Sequence, residues 1–403
     1  GQERAARSLD FGVDVEAPGF NILVVGPPGT GRTSMVLDRL RTVARERPSP
    51  PDRCYVYNFR DPYRPATLCL PSGLAPVFRQ EMTDLVEAVR IEMPRVFQTE
   101  EYAARCNYLA QVSEDDQSGV RHDIEDQAQA RGFKITRTPV GLCAVPLHLT
   151  EDSNSDIPSE LPVSEGGAVN DARADIEDIL TRATRQLHAR QQKAREQLRD
   201  LNADVARSVV QPLIDDLSET YRGFDDVITY LGQVAHHMAE HFEEFRVGGQ
   251  ACQQPGSIDQ HEDKLMPYRV NVVVTHDPNG GAPVIQEIHP TYQNLFGRVE
   301  QRHAVGGDTT DFTMIKPGAL HTANGGFLVL DVGELLKDGA AYHGLKRALQ
   351  SGAIRIDAVT DDRGPLPAAW LDAESIEMNV KVALIGTPEV CYSVQDADPE
   401  FSD

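Results

Sequence analysis

The chain has 403 residues, of which 40% are hydrophobic and 25% charged, and this composition excludes a fibrous or largely disordered protein. It carries 39 basic and 62 acidic residues, a formal net charge of −23, which argues against nucleic acid as a partner because the surface would repel a phosphate backbone. No apolar run approaches the roughly 18 residues of a membrane span, and the six cysteines form no CxxC pair. We therefore expect a cytoplasmic protein with no membrane partner.

The N-terminal stretch predicts a helix followed by a buried strand. Ala5, Leu9 and Val13 recur at helical spacing, and the short β-branched run at 22–25 then predicts the strand. A second helix is predicted over 33–41. The chain starts without an initiator methionine, which leads us to expect residues upstream of Gly1 in the natural protein.

A glycine-rich loop lies between that strand and the second helix, and it fits the phosphate-loop pattern G-x-x-x-x-G-K-[ST] with arginine in place of lysine. Glycines let backbone N–H groups approach phosphate oxygens, and the helix N-terminus adds its positive dipole end. The candidate nucleotide-binding residues are Gly26, Pro27, Pro28, Gly29, Thr30, Gly31, Arg32, Thr33 and Ser34. Thr33 is placed to offer a hydroxyl to Mg²⁺. Because a planar guanidinium cannot replace a compact ammonium, we expect binding but inefficient hydrolysis.

The next segments predict a second strand and then a change of character. CYVYNF at 54–59 predicts a strand, which would complete two βα units of a parallel sheet by Phe59. Residues 75–130 show helical spacing that Pro94 should break, and 133–147 predicts a β-hairpin. The acidic stretch 151–170 predicts a flexible loop.

A long helix with a coiled-coil-like seam follows. Its apolar positions fall mostly three or four residues apart: Ile176, Leu180, Ala183, Leu187, Ala194, Leu198, Leu201 and Val205. Pro212 should end or kink this helix, and a second helical stretch over 213–245 would return alongside it. The pair is either a hairpin that packs only on itself or an arm that contacts substrate. His237 and His241 share a helix face, but without a defined third ligand we expect solvated histidines rather than a metal site.

After a linker-like passage at 247–266, β character returns at 268–276 and 283–288. The segment HPTYQNLFGRVE then places Tyr292, Leu295 and Phe296 together between β-rich runs. These side chains can grip an extended polypeptide in a pore, because they bury apolar area without sequence preference. The alternative is that they are core residues, and the sequence slightly favours this second reading.

The second half of the nucleotide site is predicted near residue 331. Phe327–Leu330 predicts a strand ending in Asp331, which would serve with Thr33 as the Mg²⁺ partner. Val332 stands where many ATPases of this architecture have a glutamate that polarises water, so it points, like Arg32, to impaired hydrolysis. A helix at 341–350, a β-patterned excursion at 353–379 and a strand at 381–389 follow. Thr387, just past that strand, is the expected nucleotide-sensing residue.

These strings resemble the Lon-like ATP-dependent proteases of the AAA+ class, especially the bacterial branch with a long helical insertion. The resemblance runs through GQERA, FNILVVGPPGTGRTS, RGFKITRTPVGLCAVPL, PYRVNVVV, PTYQNLFGRVE, DFTMIKPGALHTANGGFLVLD and VKVALIGTPE. It implies an α/β AAA+ phosphate-loop NTPase core, a parallel sheet flanked by helices, with a mostly helical, coiled-coil-like inserted domain containing a small β-hairpin. About 300 residues separate Thr33 from Asp331, which requires an insertion in any case.

The resemblance implies core residues 1–74, an insertion over 75–266 and further core residues 267–403. It implies a ring homo-oligomer, usually a hexamer, that binds ATP and Mg²⁺ and threads unfolded polypeptide toward a protease domain with a Ser-Lys dyad. We expect that dyad, the trans arginine and the second sensor to lie outside this chain. The excursion at 353–379 is similar to the hairpin that the Lon clade carries before its sensor strand.

Three functions remain open at this point. The first is the ATPase and unfolding module of a Lon-like protease. The second is a nucleotide-binding scaffold with little or no turnover, in a protease that acts on already unfolded chains, and Arg32 and Val332 support it. The third is a nucleic-acid motor on the same core, which the charge of −23 disfavours.

Overall fold

The computed structural model describes residues 3–15, 20–138, 141–146, 167–246, 264–304, 307–356 and 371–398. The chain forms two compact units, the first made of Gly1–Arg90, Gln211–His237 and Val247–Asp403, the second of Ile91–Val210 and Met238–Arg246. The division into 1–74, 75–266 and 267–403 stays a prediction.

The helices are α1 (Glu3–Asp14), α2 (Arg32–Ala44), α3 (Ala75–Val96), α4 (Glu100–Gln129), α5 (Gly167–Thr220), α6 (Asp225–Glu240), α7 (Phe242–Arg246), α8 (Tyr292–Phe296), α9 (Ala319–Thr322), α10 (Val332–Leu335), α11 (Gly339–Ser351) and α12 (Pro388–Ala397). The strands are β1 (Ile22–Val25), β2 (Asp52–Val56), β3 (Ala66–Leu70), β4 (Phe133–Thr138), β5 (Gly141–Pro146), β6 (Val270–Val274), β7 (Val284–Glu287), β8 (Arg298–Val299), β9 (Arg302–Ala304), β10 (Gly307–Thr309), β11 (Ile315–Lys316), β12 (Phe327–Asp331), β13 (Ala353–Ile354), β14 (Ile376–Glu377) and β15 (Lys381–Gly386). Within the described ranges, no helix has an apolar run long enough to cross a bilayer.

A four-stranded parallel sheet is the centre of the first unit. Its strand order is β1-β15-β12-β7, so the first and last strands of the chain are neighbours. Side chains alternate between two faces: Phe327 and Val329 pack with α1 and α2, while Leu328 and Leu330 pack with α8 and α11. Helices therefore cover both faces, as parallel sheets require, and the predicted α/β fold is confirmed.

The strand predicted at 54–59 does not join this sheet, so the prediction of two consecutive parallel βα units was wrong. β2 is the middle strand of a separate sheet of order β3-β2-β6, in which both pairings are antiparallel. The apolar pattern of β2 indicates a buried strand, and Tyr55 is fully buried. Burial alone does not specify which strand is the partner.

The segment between α2 and β7 begins and ends at adjacent backbone positions. The amide of Ala282 donates to the carbonyl of Ala44 at 2.8 Å, just after α2 and just before β7. Gly281 has φ +74°, and a Cβ there would overlap the Ala44 carbonyl, so this close approach requires glycine. The two ends of the inserted chain are thus joined by a backbone hydrogen bond.

Two prolines lie inside helices instead of breaking them. α3 runs through Pro94 to Val96, and the interruption comes only at Phe97–Thr99, where the Thr99 side chain caps α4 by accepting from the Tyr102 amide. α5 runs through Pro212 to Thr220. Buried neighbours such as Val210 and Ile214 sustain that helix, so packing outweighs the missing N–H.

In the second unit, the N-terminal part of the α5 seam packs against α4, which precedes it in the chain, and the return of the stretch 213–245 alongside α5 stays a prediction. Ala183 packs on Val120 and Ile124, and Ile176 packs on Ala128. The Tyr102 hydroxyl donates to Asn202 Oδ1 at 2.8 Å, so the two helices run antiparallel. The periodicity of the sequence identified the apolar face of α5, but it does not specify which helix packs against that face.

The predicted hairpin at 133–147 is present as β4 paired antiparallel with β5, and its turn lies outside the described residues. The predicted acidic loop at 151–170 and the linker at 247–266 lie almost entirely outside them as well. In the predicted excursion at 353–379, β13 pairs antiparallel with β14, and 357–370 lies outside the described ranges.

Candidate nucleotide-binding site

The phosphate-loop sequence forms the predicted strand, loop and helix. β1 ends at Val25, and α2 begins at Arg32. Gly29 and Gly31 have φ +79° and +76°, a left-handed region that favours glycine, and open space lies beside both. Residues 27–31 are exposed, and no side chain in the described ranges caps the N-terminus of α2. The first amides of this helix therefore remain available for an anion.

Strand register brings the predicted site residues to one edge of the sheet. Val25 pairs with Gly386 between β1 and β15, and Asp331 pairs with Ile385 between β12 and β15. The loop after β1, the carboxylate at the end of β12 and Thr387 after β15 all follow carboxyl ends of parallel strands. Ligands of open α/β sheets bind at this edge.

Arg32 turns back into the loop instead of extending outward. Its Nη1 donates to the carbonyl oxygen of Gly26 at 2.5 Å and to that of Gly386. Gly386 also accepts from the Gly26 amide at 3.2 Å. In this geometry, the guanidinium bridges the ends of β1 and β15, and it does not occupy the position from which a lysine reaches outer phosphates.

Thr33 and Asp331 suit the divalent-cation site predicted for them. The Thr33 side chain is half-buried, and its hydroxyl makes no hydrogen bond within the described part of the chain. Asp331 is exposed, and its Oδ1 accepts from the Glu334 amide at 3.1 Å as the cap of α10. Hydroxyl and carboxylate oxygens are the ligands that Mg²⁺ prefers. The residues present therefore fit phosphates and a magnesium ion, whereas Arg32 does not yet fit an outer phosphate.

Val332 is buried away from the solvent side of this edge. It is 1% exposed and packs with Cys391 and Val394 beneath α12. Burial and the charge of Asp331 raise the pKa of the Cys391 thiol, while Arg32 lowers it. Both charged residues therefore lie near one thiol, which places the loop cation and the carboxylate of β12 close to each other.

Thr387 begins α12 as its N-terminal cap. Its hydroxyl accepts from the Val390 amide at 3.5 Å, so this side chain already has a structural partner. Gly386 and Cys391 are the residues of this edge that the sequence did not predict. They lie at this edge because β15 pairs with β1, and no local sequence pattern predicts that pairing.

Tyr292, Leu295 and Phe296 lie in α8 and are 6%, 0% and 3% exposed. Tyr292 stacks on Phe296 with ring centroids 4.6 Å apart, and the three side chains pack against Leu328 and Leu345. Their burial favours the core alternative over pore contact. The prediction that His237 and His241 are solvated was wrong for His237, which is half-buried: its Nδ1 lies 2.8 Å from the Tyr268 hydroxyl and its ring packs against Phe59.

Comparison with known proteins gives matches to two stretches of the chain. Residues 280–403 match a family model described as the LonB-like AAA domain, and residues 52–85 match the Lon-like LonC helical domain. A putative Lon protease homolog of Escherichia coli (strain K12) is 32% identical over 112 residues, which are 28% of this chain and 17% of that relative.

The chain thus aligns with about a sixth of that relative, and the phosphate loop lies outside both matched ranges. An AAA domain is a nucleotide-binding domain, which agrees with the geometry at the carboxyl edge of the sheet. Both family models and the bacterial relative thus agree with the resemblance to Lon-like proteins seen in the sequence.

Proposed function

We propose that this chain is the ATP-binding AAA+ module of a Lon-like ATP-dependent serine protease. In this proposal, the amides of residues 29–33 hold the phosphates, and Thr33 and Asp331 hold Mg²⁺. The module serves to bind unfolded polypeptide and move it toward a protease domain with a Ser-Lys dyad, to which no described residue is assigned. The bound Mg·ATP would supply the free energy for that movement.

The observation that carries the proposal is the shared carboxyl edge of β1, β15 and β12. It brings the open glycine loop and the exposed Asp331 carboxylate together, although they are about 300 residues apart in sequence. The uncapped N-terminus of α2 adds a positive dipole end for phosphate. Each element of a nucleotide site has a counterpart here, with Arg32 as the exception.

Calorimetry with ATP and a non-hydrolysable analogue, with and without Mg²⁺, tests the proposal. We expect saturable binding by the chain, weakened at least tenfold by Gly31→Ala because a Cβ strains the left-handed turn. Gly132→Ala is the matched control, since Gly132 has φ +80° and open space but lies outside the sheet. Absence of binding up to millimolar nucleotide would contradict the proposal.

A second candidate is a nucleotide-binding scaffold that turns over ATP slowly or not at all. Two observations favour it: Arg32 is bound to the Gly26 and Gly386 carbonyls, and Val332 is buried at the position where water activation expects a glutamate. Such a scaffold would serve a protease that acts on already unfolded chains. Steady-state turnover by the full-length protein separates the two candidates.

The remaining parts of the proposal concern assembly and location. A ring homo-oligomer, most simply a hexamer, would bind nucleotide at subunit interfaces and act in the cytoplasm. The charge of −23 disfavours nucleic acid as the translocated polymer. Multi-angle light scattering with and without ATP, on the full-length protein, measures the ring size directly.

A further inference from the structure

A cavity of about 1040 Å³ opens at the amino edge of the parallel sheet, opposite the phosphate loop. Asn21, Gly326 and Lys381 line it, and these residues lie at the starts of β1, β12 and β15. Strands of four to six residues put the two edges about 15 Å apart. The cavity is therefore separate from the nucleotide-binding site, and its volume is at the upper end for small-molecule sites.

The charged residues in the lining are mostly basic. Among the described lining residues, the cations are Arg47, Arg53 and Lys381 and the acid is Glu377, in a chain whose net charge is −23. Lys381 donates to the Gly12, Val13 and Val15 carbonyls at the end of α1, and Arg47 donates to Val13 while lying over the Phe327 ring. Both cations are thus held near the end of α1 by backbone carbonyls.

Arg53 differs from the other two cations. It is half-buried, and within the described ranges its guanidinium makes no hydrogen bond and no ion pair. It lies on β2 where the pairing register with β6 shifts, between Arg53 and Cys54. Such irregularities re-aim side chains next to binding sites. A partly desolvated arginine without an acid is costly unless a ligand supplies the anion.

His321, also in the lining, is 2% exposed and supplies an independent observation. Its Nδ1 accepts from the Gly318 amide at 3.2 Å, so the neutral ring carries its proton on Nε2. That Nε2 has no hydrogen-bond partner in the described structure. Burial lowers the pKa of His321 to about 4, which keeps this donor neutral.

His276 extends the same wall. Burial lowers the pKa of its ring despite the nearby Asp52 carboxylate, whose oxygens accept from Ala75, Thr275 and the His276 amide. Apolar side chains complete the lining: Phe20, Leu349, Met378 and Val380. The cavity thus combines cationic and N–H donors with an apolar wall.

We propose that this amino-edge cavity binds a small phosphorylated molecule with an apolar body, with Arg53 as the principal phosphate ligand. The arginine fork matches phosphate oxygens bidentately, and the apolar wall takes the rest of the ligand. The volume admits a molecule of nucleotide size. Glu377 disfavours ligands with several dispersed negative charges.

Isothermal titration with 1-naphthyl phosphate as the probe tests the proposal on the 403-residue chain. We expect saturable binding, at least tenfold tighter than that of 1-naphthol, which lacks the phosphate. Arg53→Gln should weaken the phosphate probe at least tenfold, and Arg53→Lys should weaken it less because it keeps the charge. The exposed Arg41, on α2 and outside the cavity, provides the matched control Arg41→Gln, which should stay within twofold.

Two further measurements fix the place of binding. Thr33→Ala should leave the probe's affinity unchanged, whereas a loss there but not in Arg53→Gln would place the probe at the phosphate loop and overturn the proposal. In protein labelled with ¹⁵N-histidine, the probe should shift the His321 ring signals, which does not depend on any Arg53 variant folding. No saturable binding, or binding without a His321 shift, would also overturn it.

Discussion

Arg32 donates a hydrogen bond from Nη1 to the carbonyl oxygen of Gly386, a residue 354 positions later in the chain. Together with the bond to Gly26, it joins the ends of two neighbouring parallel strands at the mouth of the phosphate loop. Charge-assisted hydrogen bonds of this kind contribute about 1.5–3 kcal/mol each. Any phosphate that recruits Arg32 must first compete with these two carbonyls.

Arg32→Lys should therefore strengthen ATP binding at least tenfold, equivalent to about 1.4 kcal/mol. The lysine side chain ends one bond short of the position of Arg32 Nη1, so its ammonium reaches the two carbonyls less well and is available to the phosphates. Calorimetry with Mg·ATP measures the change, and Arg41→Lys, on the exposed face of α2, is the control. Unchanged or weaker binding in Arg32→Lys would show that the two hydrogen bonds of Arg32 to backbone carbonyls do not lower the affinity for ATP.

Steady-state ATP turnover by the full-length protein should be slow or undetectable, because neither Arg32 nor Val332 supplies what water activation requires. Restoring a glutamate by Val332→Glu should not rescue it. Val332 is 1% exposed between Gly386 and Cys391, so a carboxylate there would be desolvated without a partner. We expect that variant to lose about 3 kcal/mol or more of unfolding free energy.

A phosphate-release assay and urea unfolding check these two expectations. Val332→Ala is the matched control, since it removes packing without adding charge, and it should cost about 1–2 kcal/mol. Turnover at the rates of ordinary AAA+ ATPases in the wild-type protein would mean that other residues activate water. A stable and active Val332→Glu variant would place that side chain at the nucleotide.

Tyr292→Ala should lower the unfolding free energy by about 3 kcal/mol or more, because the ring is 6% exposed and stacked on Phe296. Chemical unfolding of the chain measures this loss. Tyr392, which is 63% exposed on α12, is the control, and Tyr392→Ala should stay within about 0.5 kcal/mol. If Tyr292→Ala changes stability by less than about 1 kcal/mol while degradation of an unfolded substrate collapses, the tyrosine contacts substrate.

Stability should fall in mild acid through His321. Its folded-state pKa of about 4 is below the unfolded value of about 6.5, so the unfolded state binds more protons between these two values. Its stabilising contribution is thus complete above pH 6.5 and decreases as the pH falls toward 4. Between pH 7 and pH 5, it should account for about 2 kcal/mol of lost unfolding free energy.

Urea unfolding at both pH values tests this, with His321→Asn as the informative variant because asparagine keeps an acceptor for the Gly318 amide. That variant should lose about 2 kcal/mol less than wild type on acidification. The exposed His343 provides the control, and His343→Asn should keep the wild-type slope. An unchanged slope in His321→Asn would assign the acid sensitivity to other groups.

Local patterns predicted the parts of this fold that depend on neighbours in sequence. The run from Ile22 through Gly31 specifies strand, turn and helix because glycine dihedrals and β-branched packing act over a few residues. Asp331 was predicted at its strand end for the same reason. Thr387 lies where the sequence placed it, but its hydroxyl caps α12.

Pairing across long separations could not be predicted. β2 has the composition of a core strand, yet its partners are β3 and β6, because an apolar strand does not encode which edge it joins. The apolar seam of α5 likewise did not specify α4 as the helix on which Ala183 packs. The hydrogen bond from Arg32 to Gly386 arises from such a pairing, so it too was invisible in the sequence.

The hydrogen bond between Ala282 and Ala44 also bears on how this architecture can change over evolutionary time. Because the chain leaves and re-enters the sheet at adjacent backbone positions, the closure entropy of everything between them grows only with the logarithm of its length. Doubling that length costs only about 0.6 kcal/mol. The length of the segment between these two residues can therefore change at small entropic cost while β1, β15, β12 and β7 keep their register.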